Sequence, residues 1–147
     1  MSRQTYRVIL WGLAALYICW SALVGFWATA IDAPISDIIA NALNALYAAG
    51  IPRFITYPVV EVLANVGFFV PIGALLSALL ARRFSLVALT ASVAFSGVIE
   101  LGQLLFLPGR YASFGDIAAN SLGAAIGVAT VMALRVAVQR RRILHRS

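Results

Sequence analysis

Four polar side chains stand out in an otherwise apolar part of the sequence, because their types and spacing suit the binding of a polar group. Glu100 and Gln103 fall inside one hydrophobic run, and Asp116 and Asn120 open the next. Each pair is spaced three or four residues apart, so its members share one face of a helix. Carboxylates and amides on a shared face accept from and donate to hydroxyl, amide and charged groups. Two carboxylates in different surroundings can also act as general acid and base.

The composition predicts that membrane-spanning helices position these side chains. The chain has 147 residues, of which 63% are hydrophobic and 11% are charged, and its mean hydropathy is +0.96. A soluble domain carries about a quarter charged residues. We therefore expect an integral membrane protein whose residues 1–147 form a single membrane domain.

Four apolar runs are each long enough to cross a bilayer, which takes roughly 20 helical residues. They are Val8–Ala30, Val59–Ala81, Ser85–Leu107 and Asp116–Val138. The predicted fold is all-α, a polytopic bundle of four transmembrane helices. In the first outer loop, apolar residues recur at helical spacing between Ile35 and Tyr47, which predicts a short amphipathic helix.

The first run also resembles a signal peptide, because Arg3 and Arg7 precede it and Ala28-Thr29-Ala30 suits a cleavage site. Its apolar length exceeds the roughly 7–15 residues of a signal sequence. We expect a retained helix.

The arginines predict the orientation. Of the 11 basic residues, all but Arg53 and Arg110 lie before the first run, between the second and third, or at and after the end of the fourth. The positive-inside rule then places both termini on the cytoplasmic side of the membrane. In this setting the net charge of +6 favours contact with anionic membrane lipid and not with nucleic acid.

With that topology, the polar residues share one depth near the outer boundary. They are Glu61, Asn65, Glu100, Gln103, Asp116 and Asn120, with Arg110 in the short loop above them. We expect an outward-facing polar pocket in which Glu100 pairs with Arg110, since an unpaired charge at membrane depth is costly. Beside it, Gly123 and Gly127 form a small-residue face of the kind that lets helices pack closely.

Metal and cofactor chemistry lacks its usual residues. Cys19 is the only cysteine and His145 the only histidine. Thiolate metal cages and histidine-based zinc sites or triads are therefore not expected, and we predict neither a metal nor a cofactor.

The order of the polar motifs resembles the VanZ-like family of small bacterial membrane proteins. The strings that carry it are NVGFFVPIG (Asn65 to Gly73), ELGQ (Glu100 to Gln103) and GRYASFGDIAANSLGAAIG (Gly109 to Gly127). The similarity covers about residues 65–127. It implies a role in the cell envelope, since the family is named for resistance to the lipoglycopeptide antibiotic teicoplanin. It implies no biochemical mechanism.

These features favour a protein that binds or modulates a lipid-linked cell-wall precursor or a lipoglycopeptide. Arg110 would pair with phosphate or carboxylate, the amides would bond sugar or amide groups, and Glu100 and Asp116 would orient Arg110 or accept from the ligand.

Three alternatives remain at this point. An intramembrane enzyme would use Glu100 and Asp116 as acid and base on a lipid-linked substrate, although no nucleophile is evident. A structural polar cluster would bind no ligand. A channel would need a polar path through the inner half of the bilayer, where the sequence offers only small groups such as Ser77 and Ser92.

Overall fold

The computed structural model describes residues 2–25, 36–107 and 113–144, which form five α-helices and no strand. The helices are α1 (Arg3–Gly25), α2 (Ser36–Ala48), α3 (Tyr57–Leu79), α4 (Ser85–Phe106) and α5 (Phe114–Leu144). All but the short α2 are long and apolar enough to cross a membrane, and only a small part of each apolar stretch is buried inside the bundle. The predicted all-α bundle, with a short helix after the first long one, is confirmed.

Two helix ends differ from the ends of the apolar runs. α1 begins at Arg3, before the run that starts at Val8, and α5 continues past Val138 to Leu144. Arginine, glutamine and alanine are good helix formers, so a polar extension can stay helical after hydropathy falls. With 31 residues, α5 is about 46 Å long, more than the roughly 30 Å of a hydrocarbon core. Its last, basic turns therefore lie beyond the apolar layer.

The closest helix contact joins α3 and α5 through glycines. A Cβ at Gly123 would fall on the carbonyl oxygen of Val66, and a Cβ at Gly127 would fall on that of Val70. Gly73 makes the reciprocal contact against the backbone of α5. The two backbones therefore touch, which fixes how far each polar side chain of α5 reaches toward α3.

An aromatic cluster ties α1 to this pair. The hydroxyl of Tyr17 donates a 2.9 Å hydrogen bond to the carbonyl of Phe68, and the ring of Trp20 lies 5.1 Å from that of Phe68. Phe69 and Ile99, both buried, continue the core between α3 and α4. A buried phenol needs such a partner, so Tyr17 fixes the register of α1 as well as its packing.

The helix directions place the polar residues and most arginines at opposite ends of the bundle. A Cβ at Gly25, the last residue of α1, would lie 2.8 Å from Ile99, close to Glu100 on α4. At the other end, one guanidinium nitrogen of Arg135 donates to the carbonyls of Ser77, Ala78 and Leu80, at 2.8–3.0 Å. These carbonyls end α3 and have no partner within the helix, so Arg135 caps it.

Candidate functional site

The candidate site starts at the first turn of α5. Ser113 precedes the helix, and its Oγ accepts a 3.2 Å hydrogen bond from the backbone N–H of Asp116. This is the serine half of a capping box, in which the acid three residues on usually reaches back to the backbone N–H of the cap. Here that N–H donates instead to Oε2 of Glu100 on α4, at 2.8 Å.

Because Glu100 and not Asp116 accepts the N–H of Ser113, the carboxylate of Asp116 can bond a third helix, α3. Asn65 Nδ2 on α3 donates to Asp116 Oδ1 at 2.9 Å. Both carboxylates thus lie at the amino end of α5, where the helix dipole favours negative charge. Glu100 itself is only 5% exposed. The backbone N–H of Ser113 and the dipole of α5 therefore stabilise a carboxylate that has little contact with solvent.

One turn deeper, Asn120 joins α5 to α4. Its Nδ2 donates to Ser96 Oγ at 2.9 Å, and Asn120 is 5% exposed. Its Oδ1 is buried and has no hydrogen-bond partner within the described part of the chain. Ser96 lies one turn before Glu100 on the same face of α4. The Oδ1 atom of Asn120 is therefore near the buried carboxylate of Glu100. We call Asn65, Ser96, Glu100, Ser113, Asp116 and Asn120 the polar cluster.

Gln103 lies at the same end of the bundle, but its side chain bonds α1. Its Nε2 donates to the carbonyl of Gly25 at 2.8 Å, which links α4 to the end of α1. The structure therefore brings Asn65, Glu100, Asp116 and Asn120 together. Gln103 lies beside them on α4, bonded to the end of α1.

Arg110, expected to pair with Glu100, lies outside the described residues. Glu61, which the sequence spacing groups with Asn65, has an exposed side chain. Across residues 2–25, 36–107 and 113–144, no three His, Cys, Asp or Glu side chains are close enough to share a metal ion.

Sequence reasoning missed Ser113 and the role of Arg135. The Ser-x-x-Asp spacing before an apolar run was the available signal for Ser113, as it is the pattern of a capping box. Arg135 was grouped with the charges at the end of the last apolar run, and only the packing of α5 against the end of α3 shows what it binds.

A family model described as VanZ/LLP1 matches residues 9–135. The chain belongs to the VanZ/LLP1 family. The match extends on both sides of the 65–127 region that carries the motifs, so it includes most of α1 and much of α5. Comparisons with curated proteins and with solved structures gave no match.

Proposed function

We propose that this VanZ/LLP1 protein binds the polar head group of a lipid-linked cell-wall precursor or of a lipoglycopeptide at the polar cluster. The observation that carries the proposal is the buried Oδ1 of Asn120, an acceptor without a partner among the described residues. An unsatisfied buried acceptor costs about 1–3 kcal/mol, which a donor on a ligand would recover. A sugar hydroxyl or a peptide amide supplies such a donor.

The charges of the cluster suit the same ligands. The carboxylates of Glu100 and Asp116 each accept a hydrogen bond from the protein, and a carboxylate has room for several donors. Ammonium, hydroxyl and amide groups of a glycopeptide would fill the remaining positions. Arg110, beside the cluster in sequence, would pair with phosphate or carboxylate.

The proposed orientation has the cluster facing the outer leaflet and both termini in the cytoplasm. It rests on the arginine bias and on the placement of Arg135 at the end opposite Glu100. A reporter fused after Ser147 should be cytoplasmic, and a tag in the loop between Asp32 and Tyr57 should be accessible on intact cells. Surface accessibility of Ser147 would reverse the orientation.

A purely structural cluster is the second candidate, and the hydrogen bonds favour it. Asn65, Glu100 and Asn120 each bond a residue outside their own helix, which is how polar side chains join membrane helices. This role accounts for their burial without a ligand. It leaves the Oδ1 of Asn120 unexplained.

Lipid mass spectrometry of the purified protein separates the two candidates. We expect a phosphorylated or glycosylated lipid to co-purify with the wild type and to be depleted in Glu100→Gln, which keeps an oxygen for the N–H of Ser113 but removes the charge. Thr90→Val is the matched control, because Thr90 lies on α4 but is exposed and bonds only its own helix. Equal lipid content in Glu100→Gln and the wild type, with a loss of stability in the variant, would support the structural role.

A further inference from the structure

A groove at the end of the bundle opposite the polar cluster has the features of a lipid site. It is a shallow, open groove of about 440 Å³, lined by Arg82 and by Met132, Ala133, Val136, Ala137 and Arg140 on α5. The four apolar residues recur at helical spacing, so they form one continuous wall.

Two neighbouring arginines already have partners. Arg135 bonds the carbonyls that end α3, and the guanidinium of Arg83 lies 4.8 Å from the centre of the Phe84 ring. The negative end of the α3 dipole is thus already compensated by Arg135. Arg82 and Arg140, both exposed, are the arginines that border the groove.

No acidic residue of the sequence falls in the segments that build this end. The chain has no Asp or Glu between Glu61 and Glu100 and none after Asp116. A counter-charge for Arg82 and Arg140 must therefore come from outside the described bundle. Guanidinium groups bind phosphate with paired hydrogen bonds, which makes phosphate the fitting anion.

We infer that the groove binds an anionic phospholipid, with the phosphate between Arg82 and Arg140 and an acyl chain along Met132, Ala133 and Val136. A free phosphate would meet only the arginines, whereas a phospholipid has a phosphate for the arginines and an acyl chain that lies along the apolar wall. Basic sites between membrane helices bind anionic head groups in this way. The inference concerns the end opposite the polar cluster and does not depend on the function proposed there.

Native mass spectrometry of the protein released from nanodiscs tests the inference. The nanodiscs contain equal amounts of phosphatidylcholine and phosphatidylglycerol, and the measured quantity is the ratio of the two lipids retained. We expect the wild type to retain phosphatidylglycerol preferentially. In Arg82→Gln/Arg140→Gln the ratio of retained phosphatidylglycerol to phosphatidylcholine should fall about tenfold, with each arginine contributing on the order of half of the free-energy change.

The matched control is Arg83→Gln/Arg142→Gln, which removes the same charge from the same end without altering the groove. We expect it to keep the preference of the wild type. An equal loss in both double variants would show unspecific surface attraction and overturn the inference, as would an unchanged ratio in Arg82→Gln/Arg140→Gln. If that double variant fails to fold, Arg140→Gln alone is compared with Arg142→Gln on the same criterion.

Thermal unfolding in phosphatidylcholine nanodiscs distinguishes a lipid from a free anion. Added phosphatidylglycerol should raise the Tm of the wild type, and millimolar inorganic phosphate should not. An equal shift with phosphate would contradict a lipid site.

Discussion

The carboxylate of Glu100 on α4 accepts the backbone N–H of Ser113, the residue that caps α5, at 2.8 Å. A side chain of one membrane helix thus completes the cap of the next. Because the connection between α4 and α5 is short, this bond fixes where α5 begins, and with it the positions of Asp116 and Asn120 in the polar cluster.

Glu100→Leu should destabilise the protein more than Glu100→Gln. Leucine leaves the N–H of Ser113 without its acceptor in a buried place, which costs about 1–3 kcal/mol. Glutamine keeps an acceptor oxygen at the same reach, so it should lose less. The free energy of unfolding, measured by SDS titration in mixed micelles, gives both values. Equal losses in the two variants would show that the charge matters and the hydrogen bond to Ser113 does not.

The glycine contacts predict that alanine has very different effects on stability at two positions of α3. Gly73→Ala should destabilise the bundle severely, because its Cβ would meet the backbone of Ala124. Gly67→Ala is the matched control on the same helix, since nothing lies within 4 Å of the Cβ it would add. There alanine should be neutral or stabilise by up to about 1 kcal/mol. Thermal unfolding and yield of the two variants measure the contrast, and similar behaviour would mean that α3 and α5 do not touch at Gly73.

Asn65 and Asp116 should be energetically coupled. A double-mutant cycle with Asn65→Ala and Asp116→Ala should give a coupling of about 0.5–2 kcal/mol, the range for polar contacts between membrane helices. Asn65→Ala combined with Ser121→Ala is the control, because Ser121 bonds only Ile117 of its own helix. Those two changes should add within about 0.5 kcal/mol. Additivity of the first pair would exclude the hydrogen bond.

Arg135→Gln should weaken the end of α3. It removes the guanidinium that bonds the carbonyls of Ser77, Ala78 and Leu80, at a cost of about 1–2 kcal/mol. Arg135→Lys should recover part of this loss, since it keeps the charge near the carboxyl end of α3. Arg141→Gln removes an equal charge at an exposed position and should cost little. Hydrogen exchange of the last turn of α3 would report the change, and unaltered exchange would count against a capping role.

The sequence predicted the helices and the meeting of the polar residues at one end of the bundle, because both follow from hydropathy and from the regular rise of a helix. Val59–Ala81 and Ser85–Leu107 correspond closely to α3 and α4. Helix ends were less predictable, since Arg140 to Arg142 are polar yet continue α5.

Hydrogen-bond partners were the least predictable feature of the site. Glu100 was expected to pair with Arg110, which lies outside the described residues. Within them it accepts a hydrogen bond from a backbone N–H, a group that every residue but proline carries and that leaves no trace in composition. The partner of Asn65 could not be predicted either, because the register between α3 and α5 depends on which glycine meets which carbonyl.

The most direct test of the proposed function is an equilibrium titration in nanodiscs with two defined probes, an undecaprenyl-pyrophosphate-linked disaccharide pentapeptide and teicoplanin. The account predicts that the wild type and Thr90→Val bind at least one probe with the same Kd. Glu100→Gln should bind that probe about tenfold more weakly, or about 1.4 kcal/mol, with a Tm close to that of the wild type. Failure of the wild type to bind either probe, or an unchanged Kd in Glu100→Gln, would contradict a ligand site at the polar cluster.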